Sequence, residues 1–321
     1  MQALRFDRTG DLDALESKEV TAPEPGENDV VVRVVASGLN PSDVKNVEGA
    51  FAYTTVPRTP GRDFSGVVSR GPAELVGVAV WGTGKELGFV RDGSHAEYIS
   101  LPRTGVSRKP EALGFEQAAA VGVPYTTAWS AFERSGVVAG TSVIVIGAAG
   151  AVGKAAMDLA TWRGARAVGV VRRREQATVL EGHGHHSLVV EHPAALADEV
   201  QAAYPGGAEV VFDTTGAYLV PSIAALAVEG RIAVIAPPPG GTVELPVLAL
   251  YRKGGVIVGI NSLLYDSTQC AKMLDRIGAG FEEGRLAPPA GFVVTPFSKA
   301  VETYRAVKSG GAGKHVLVMG H

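Results

Sequence analysis

A glycine-rich turn at residues 147–153 is the part of the sequence with the clearest chemical use. The stretch 143–160 reads VIVIGAAGAVGKAAMDLA, an apolar run followed by a glycine turn and a helix of small residues. A strand, a tight turn and a helix start in this order present unpaired backbone N–H groups to a dinucleotide pyrophosphate. The competing interpretation is a strand–helix junction without a ligand. We predict a dinucleotide site formed by Ala149, Gly150, Ala151, Val152 and Gly153.

Three consecutive arginines follow the next predicted strand. In NAD-binding units an Asp or Glu stands at the end of that strand, about twenty residues on, and binds the ribose hydroxyls. Here Val171 is followed by Arg172, Arg173 and Arg174. Guanidinium groups pair with a 2′-phosphate, which an acidic residue would repel. We therefore predict NADPH over NADH, with Arg172 and Arg173 at the phosphate; an exposed basic helix start that binds nothing is the other interpretation.

Two further groups of reactive side chains are weaker candidates. The tract GHGHH (182–186) has side chains that bind metals, but it falls at a predicted helix–strand turn with no cysteine beside it. We predict no metal site there. Cys270 lies on an apolar-patterned helix that follows Asp266, which predicts a core residue.

Composition narrows the class of protein. The 321 residues carry a net charge of −3, with 46% hydrophobic and 20% charged residues, which suits a compact globular chain. No broad basic surface indicates nucleic acid, no apolar run is long enough for a membrane span, and the N-terminal residues MQALRFDRTGDLDALES show no apolar signal-peptide core. The only cysteine rules out a disulfide framework and a multi-cysteine zinc site. We expect a cytoplasmic enzyme that acts on a small molecule, with no nucleic-acid or membrane partner.

The predicted secondary structure that must position these residues changes near residue 110, from short strands to strands that alternate with helices. Before it, short strands punctuated by glycine and proline predict a small barrel or sandwich. After it, uninterrupted Val/Ile runs alternate with helical segments, as in a parallel sheet covered on both faces. A strand, a helix and a final strand are predicted over 291–319. The other predicted strands are 29–39, 63–71, 75–82, 94–102, 142–147, 166–171, 187–190, 208–216, 230–237 and 254–260, and the helices of the alternating part are 151–163, 174–182, 194–204 and 218–228.

The sequence resembles the medium-chain dehydrogenase/reductase superfamily over nearly its whole length. The resemblance rests on VVVRVVASGLNPSDVKNVEG, on TPGRDFSGVV, on the AAGAVG turn and on the segment 291–319. It is most similar to the zinc-independent quinone oxidoreductases and enone (alkene) reductases, including those that reduce activated acrylates. The resemblance implies an α/β fold with a Rossmann doubly wound parallel sheet, residues 122–289, that binds NADPH. It also implies a β-rich GroES-like catalytic barrel domain, residues 1–121 and 290–321.

The resemblance also implies that this chain works without zinc. Zinc-dependent alcohol dehydrogenases of the superfamily place a cysteine ligand after the ASG strand and a His-Glu pair after PG. The corresponding residues here are Asn40 and Arg62-Asp63. Asn is a poor zinc ligand, and Arg is not a ligand at neutral pH. Without a Lewis acid, hydride delivery to an already electron-poor alkene or quinone is the expected chemistry.

The resemblance further assigns residues to a cleft between the two domains. Residues 40–45 match the segment beside the nicotinamide, Thr127 matches a threonine at the carboxamide, and three later loops match other cofactor-facing loops. All three loops follow predicted parallel strands, where ligands of doubly wound folds bind. The predicted cofactor-binding set beyond the glycine turn and the arginines is Asn40, Ser42, Asp43, Thr127, Thr214, Thr215, Ala236, Pro237, Pro238, Gly259, Ile260, Asn261 and Lys314.

The expected reaction moves hydride from NADPH to the β-carbon of an α,β-unsaturated carbonyl, or to a quinone. Donors near the substrate oxygen should stabilise the enolate charge that develops. Tyr53 matches a pocket-lining position of the family and is the predicted proton donor, with Lys45, Asn40, Tyr265 and bulk water as rivals. The predicted catalytic set is Tyr53, Asn40 and Lys45.

Two other functions fit the same sequence. A metal-free alcohol or acyl dehydrogenase is the nearest enzyme alternative, and a non-catalytic NADPH-binding protein is the alternative from another class. Because most enzymes of this kind dimerise, we also expect a homodimer, joined edge to edge through the GGVIVGI strands.

Overall fold

The computed structural model describes residues 1–310 and 313–320. The described residues form two compact units: unit 1 contains Met1–Thr126 and Ser262–His321, and unit 2 contains Thr127–Asn261. The boundaries of these units differ from the predicted domain boundaries. Residues 262–289, which the sequence analysis assigned to the dinucleotide-binding domain, lie in unit 1.

Unit 1 is built mainly from antiparallel strands. Its strands are β1 (Gln2–Arg5), β2 (Glu16–Glu19), β3 (Asp29–Leu39), β4 (Asp63–Arg70), β5 (Ala79–Gly82), β6 (Tyr98–Pro102), β7 (Ser107–Arg108), β14 (Val293–Pro296) and β15 (His315–Val318). Its helices are α1 (Pro41–Val47), α8 (Ser267–Glu282), α9 (Ala300–Lys308) and the first part of α2 (Phe115–Ser135). The main sheet runs in the order β14-β15-β3-β4-β5-β7, with β6 paired to β3, while β1 and β2 form a separate ribbon.

Strand β3 organises the core of unit 1. It covers the predicted range 29–39, and it pairs with β4, β6 and β15. Val30, Val32 and Val34 are fully buried and pack in one apolar cluster with residues of the other strands and of α9. Burying such a side chain stabilises the fold by about 1.5–3 kcal/mol, so this β-branched run fixes the strand and its register. Asn40, directly after β3, is held at the start of α1 as a result.

Unit 2 is a parallel sheet flanked by helices, which confirms the predicted α/β architecture. Its strands are β8 (Ser142–Ile146), β9 (Arg166–Val171), β10 (His186–Val189), β11 (Ala208–Asp213), β12 (Leu226–Val234) and β13 (Val256–Gly259). Its helices are α3 (Ala151–Trp162), α4 (Arg174–Gly182), α5 (Leu196–Ala203), α6 (Leu219–Ala225), α7 (Val247–Lys253) and the second part of α2. The strand order β10-β9-β8-β11-β12-β13 turns back at β8, as in doubly wound folds.

Several element boundaries differ from the sequence prediction: for example, the predicted strands 94–102 and 208–216 are shortened to Tyr98–Pro102 and Ala208–Asp213. Helix α2 continues through Pro124 although proline lacks the N–H of a helix interior. Helix α6 ends at Ala225, and β12 starts at once, so the predicted helix 218–228 is too long.

No helix in residues 1–310 and 313–320 is long and apolar enough to cross a bilayer.

Helix α8 shows why residues 262–289 belong to unit 1. Asp266 caps the helix by accepting from the Gln269 N–H at 2.8 Å, while Gln269 Oε1 accepts from the Asp266 N–H at 3.0 Å. The Phe281 ring packs edge-on to Trp81 of β5, with 6.3 Å between ring centroids. Cys270 is buried on the same helix, which confirms its prediction as a core residue.

The close approach of α3 to the turn after β8 gives a stability prediction. A Cβ on Gly153 would overlap the Gly147 carbonyl oxygen, whereas a Cβ on Gly182, the last residue of α4, would meet nothing within 4 Å. We expect Gly153→Ala to lower the free energy of unfolding by about 1–3 kcal/mol, as overpacking does. Gly182→Ala should leave it unchanged or raise it by up to about 1 kcal/mol. Urea unfolding of both variants measures the difference, and equal losses would contradict the packing argument.

Candidate active site

The glycine turn of unit 2 has the geometry of an anion-binding helix start. Gly147 directly follows β8 in a left-handed conformation with φ 75°, and a Cβ there would overlap Thr214 Oγ1. Gly150 precedes α3 and offers no side chain to cap it. The first N–H groups of α3 therefore lack intrahelical acceptors and remain available to a ligand. Ala149 and Gly150 stand at this turn, and Ala151, Val152 and Gly153 form the first turn of α3.

The turn lies where the strand order of unit 2 reverses. Strands β8 and β11 are neighbours, and Ile146 pairs with Asp213, so the loops after both strands start side by side. Thr214 Oγ1 donates to the Ile146 carbonyl oxygen at 2.7 Å. The buried Asp213 carboxylate accepts from the backbone N–H groups of Thr215 and Gly216 at 2.8 and 3.0 Å. Asp213 was not singled out from the sequence, because a strand-terminal Asp resembles any turn residue until the N–H groups that donate to it are known.

The two other predicted loops lie at the same edge of the sheet. Residues 236–238 follow β12, and a Cβ on Gly216 would overlap the Pro237 carbonyl oxygen, which places the loops after β11 and β12 in contact. Gly259 ends β13, its carbonyl accepts from Arg134 Nη1 at 2.7 Å, and Ile260 and Asn261 follow. The structure therefore brings the loop residues predicted from unit 2 to the carboxyl ends of parallel strands.

Two features of unit 2 fit the ends of a bound dinucleotide. The Thr127 hydroxyl is buried, and the described part of the chain supplies no hydrogen-bond partner for it. Arg172 and Arg173 follow β9 with exposed side chains, and neither guanidinium is bonded to another described residue. A hydroxyl without a partner and two free cations are what a carboxamide and a 2′-phosphate would engage.

A buried polar cluster in unit 1 is centred on the Asp63 carboxylate. Asp63 opens β4 and has no exposed surface. Its Oδ2 accepts from Asn40 Nδ2 at 2.9 Å and from Lys314 Nζ at 2.8 Å, and its Oδ1 accepts from the Val123 N–H at 2.8 Å. Lys314 Nζ also donates to Asn40 Oδ1 at 2.6 Å. Four chain segments meet at this one carboxylate, and the predicted residues Asn40 and Lys314 are bonded to each other.

Asp43 lies beside this cluster in the first turn of α1. Its Oδ2 accepts from the Asn40 N–H at 2.8 Å. Burial, reinforced by the nearby Asp63 carboxylate, raises the pKa of Asp43 from 3.8 to about 7, against the opposing effects of Arg62 and Lys314. Asp43 is therefore a carboxyl group that titrates near neutral pH inside the protein.

Arg62 is a second buried cation of unit 1. Its Nε donates to the Gly84 carbonyl oxygen at 3.2 Å, and its Nη1 and Nη2 donate to the hydroxyl and the carbonyl oxygen of Ser262 at 3.3 and 3.4 Å. All of these acceptors are neutral oxygens, so among the described residues no carboxylate is bonded to this guanidinium. A positive charge in that state attracts any negative oxygen that comes near it.

The remaining predicted residues of unit 1 have different surroundings. Tyr53 is 48% exposed, its ring stacks on Phe89 at 5.5 Å, and partial burial raises the pKa of its hydroxyl although Arg62 opposes the rise. The Ser42 hydroxyl is buried without a partner in the described chain. Lys45 is exposed on α1, and Tyr265 is half-buried before α8. The structure thus brings Asn40, Asp43 and Lys314 together and leaves Lys45 outside the cluster.

The donor set of unit 1 does not fit the zinc ion of the metal-dependent relatives. The side chains of Asn40 and Asp63 converge as two zinc ligands would, but the Lys314 ammonium lies between their oxygens. Arg62 stands where the zinc-dependent enzymes have the histidine of the His-Glu pair, and an arginine is not a zinc ligand. In residues 1–310 and 313–320, no three His, Cys, Asp or Glu side chains gather as a metal site. Within the histidine tract, His185 Nε2 lies 3.0 Å from Asp158 Oδ1, a partner that the local sequence does not reveal.

The raised pKa of Asp43 predicts how stability depends on pH. The folded protein holds this proton up to about pH 7 and the unfolded chain only up to about pH 4. The stability that Asp43 contributes is therefore complete below pH 4 and lost as the pH rises through 7. Between about pH 5 and 7, the free energy of unfolding of the wild type should fall relative to Asp43→Asn, by up to about 1.4 kcal/mol per pH unit.

Glu209 provides the control of opposite sign. Hydrogen bonds from the Ser142 N–H and hydroxyl lower its pKa below the ordinary value of 4.5. The difference between the wild type and Glu209→Gln should therefore stay constant above about pH 5.5. Urea unfolding at several pH values measures both pairs, and a constant difference for Asp43→Asn as well would contradict the assignment.

Comparisons with known proteins agree with this geometry. Residues 26–111 match the alcohol dehydrogenase GroES-like domain, and residues 151–279 match the zinc-binding dehydrogenase family. The chain is 36% identical over 276 residues to a zinc-type alcohol dehydrogenase-like protein of Schizosaccharomyces pombe, which covers 84% of this chain and 81% of that protein. It is 28% identical to the quinone oxidoreductase of Homo sapiens, covering 99% of this chain and 98% of that one.

Two further proteins extend the comparison. The 2-methylene-furan-3-one reductase of Solanum lycopersicum is 28% identical over 99% of this chain and 79% of its own length. The solved structure of an NAD-dependent alcohol dehydrogenase is 30% identical, with a TM-score of 0.87 over the full length of both chains. The dinucleotide turn, the doubly wound sheet of unit 2 and these matches lead to one conclusion: the chain belongs to the medium-chain dehydrogenase/reductase superfamily, a family of NAD(P)-dependent oxidoreductases.

Proposed function

We propose that the protein is a zinc-independent, NADPH-dependent reductase of quinones or of activated C=C bonds. The observation that carries the proposal is the Asp63 cluster, in which an ammonium group takes the position between Asn40 and Asp63 that a catalytic metal would need. Without a metal to polarise an alcohol or a simple carbonyl, a conjugated substrate that supplies its own electron sink is favoured. The quinone oxidoreductase and furanone reductase relatives have names that agree with this substrate class.

The cofactor assignment rests on residues of unit 2. NADPH, when bound, supplies the hydride. The N–H groups of residues 151–153 hold the pyrophosphate, and the Thr127 hydroxyl pairs with the carboxamide. Arg172 and Arg173 pair with the 2′-phosphate, because both are exposed cations with no other described partner. The proposal also retains the loop residues at 214–215, 236–238 and 259–261, and Asn40, Ser42 and Asp43 of unit 1.

Residues of unit 1 act on the substrate. As the alkene or quinone is reduced, its oxygen gains negative charge, and positioned donors lower the energy of that state. The Asn40 amide and the Arg62 guanidinium are the donors we assign to this oxygen. Tyr53 keeps its proton at neutral pH, since its pKa is raised above 10.0, and it is our first choice as proton donor. Lys45 and Tyr265 remain rivals, as does water.

A metal-free alcohol or acyl dehydrogenase is the second candidate. It is favoured by the 30% identity to a solved NAD-dependent alcohol dehydrogenase and by the alcohol dehydrogenase-like relative. The two candidates differ in the oxidised substrate that they accept: a conjugated ketone or quinone for the first, and an isolated aldehyde for the second.

We also propose that two copies of the chain pair through β13. This strand ends the sheet of unit 2, and its other edge has no strand partner among the described residues. Val256 on the strand and Leu248 and Tyr251 on α7 are exposed, with 75% of the Tyr251 surface open to solvent. An open edge beside exposed apolar side chains is the surface that a second copy would cover.

Substrate class is tested by offering NADPH with a quinone, an enone and an aliphatic aldehyde in turn, without added metal. We expect the reduced nicotinamide to be consumed with the quinone or the enone and not with the aldehyde. Consumption with the aldehyde alone would replace our proposal by the dehydrogenase candidate. Tight NADPH binding, measured calorimetrically, with no turnover on any of the three would show a binding protein instead.

Cofactor preference is tested at the arginines after β9. Each charge-assisted hydrogen bond contributes about 1.5–3 kcal/mol, and about 1.4 kcal/mol is a factor of ten in affinity. Replacing Arg172 and Arg173 by Ala should therefore raise the KM for NADPH about tenfold or more while the KM for NADH changes little. Arg174→Ala is the matched control, because Arg174 pairs with Glu181 at 3.6 Å. An equal rise for both cofactors would show that these arginines do not bind the phosphate.

A further inference from the structure

Lys314 is the member of the Asp63 cluster that the proposed reaction leaves without a role. Lys314 lies directly before β15, far along the chain from its partners Asn40 and Asp63, and only 8% of its surface is exposed. Its ammonium donates to Asn40 Oδ1 at 2.6 Å and to Asp63 Oδ2 at 2.8 Å. A buried ammonium is stable only when paired and hydrogen-bonded, and here a carboxylate and an amide oxygen supply both.

The chain makes room for this pair with two glycines. A Cβ on Gly38 of β3 would lie 2.8 Å from Lys314 Nζ and would overlap the Ala119 carbonyl oxygen. A Cβ on Gly122, inside α2, would overlap Asp63 Oδ1. Glycine in a helix interior is less stable than alanine, so Gly122 is unfavourable for α2 taken alone. Both glycines therefore leave the space that the Lys314 ammonium and the Asp63 carboxylate occupy.

The pair determines which way the Asn40 amide faces. The amide oxygen must face the ammonium, since an ammonium has no acceptor, and the amide nitrogen must face the carboxylate, since an ionised carboxylate has no donor. Asn40 Nδ2 carries two hydrogens, and Asp63 accepts only one of them. For the second hydrogen, the described residues provide no acceptor. The cluster thus presents Asn40 as a donor with one free N–H.

We propose that Lys314 is a positioning residue that, together with Asp63, holds the Asn40 amide as a hydrogen-bond donor for the substrate oxygen. This inference rests on the proposed reductase function. The Lys314 ammonium then occupies the place where metal-dependent relatives carry a metal ion. Lys314 was predicted from the sequence to bind the cofactor, and this inference makes it a residue that positions Asn40 instead. The ammonium is already neutralised by Asp63, which leaves it little attraction for a cofactor phosphate.

A kinetic double-mutant cycle tests this role. Lys314→Met removes the charge but keeps most of the length of the side chain, and Lys314→Arg keeps the charge. We expect Lys314→Met to lower kcat tenfold or more, with less than a threefold change in the NADPH Kd measured by direct titration. In an Asn40→Ala background, Lys314→Met should lower kcat less than twofold further, because the group that it positions is already gone. Lys314→Arg should recover part of the kcat.

Lys109→Met is the control for the loss of a partly buried lysine. Lys109 Nζ donates to the carbonyl oxygens of Pro110 and Leu113, in the same unit but away from Asn40, so this variant should leave kcat unchanged. A kcat loss for Lys314→Met that is equally large in the Asn40→Ala background would overturn the proposal. A tenfold rise in the NADPH Kd would also overturn it, and would return Lys314 to the cofactor-binding residues.

An activity-free measurement separates this inference from the proposed function. The chain has asparagines only at 28, 40, 46 and 261, so labelling them with ¹⁵N gives few side-chain amide signals. In the wild type, the Asn40 amide should show two well-separated protons that exchange slowly with solvent, and Lys314→Met should speed that exchange at least tenfold. An Asn40 signal that Lys314→Met leaves unchanged would refute the positioning role. A wild type with this signature but no turnover on any acceptor would refute the reductase function alone.

Discussion

The Asp63 carboxylate is the interaction on which the architecture of unit 1 depends. It takes hydrogen bonds from the end of β3, from α2 and from the residue before β15. Its backbone carbonyl accepts in addition from the hydroxyls of Ser37 and Ser94. A buried carboxylate is tolerated only when its oxygens are fully paired. Segments far apart in sequence must therefore arrive together at this point, which ties the folding of the sheet to the assembly of the cluster.

Unit 2 follows a different constraint, the close approach of backbone to backbone. Gly153 has no side chain to separate α3 from the turn after β8, and Gly147 has none to separate that turn from the loop after β11. The neighbouring strands are filled with buried aliphatic residues. The helix start is then exposed at the edge of the sheet where the strand order reverses. Anion binding at a helix start of this kind needs backbone N–H groups and no charged side chain.

Unit 1 buries two cations beside the polar residues of the candidate site. Arg62 and Lys314 are both buried, but their charges are in different states. Lys314 is bonded to a carboxylate, whereas Arg62 is bonded to neutral oxygens only. The charge of Lys314 is therefore neutralised by a bonded carboxylate, whereas the charge of Arg62 is hydrogen-bonded but not neutralised by a bonded anion. Burial raises the pKa of Asp43 first, and the nearby Asp63 carboxylate raises it further, although both cations oppose the rise.

The sequence alone was sufficient where the signal is local and periodic. Strand 29–39 and helix 174–182 were predicted to the residue, and the glycine turn was placed between a strand and a helix, because apolar periodicity and glycine positions act over a few residues. The end of α6 and the boundary of unit 2 were missed, since each is set by contacts with distant segments. The bonding of Asn40, Asp63 and Lys314 was beyond the sequence for the same reason: 251 residues separate the carboxylate from the ammonium. Local sequence determined the elements and the dinucleotide turn, whereas only the tertiary structure decided which buried charges neutralise one another, because that pairing depends on distances that sequence spacing does not contain.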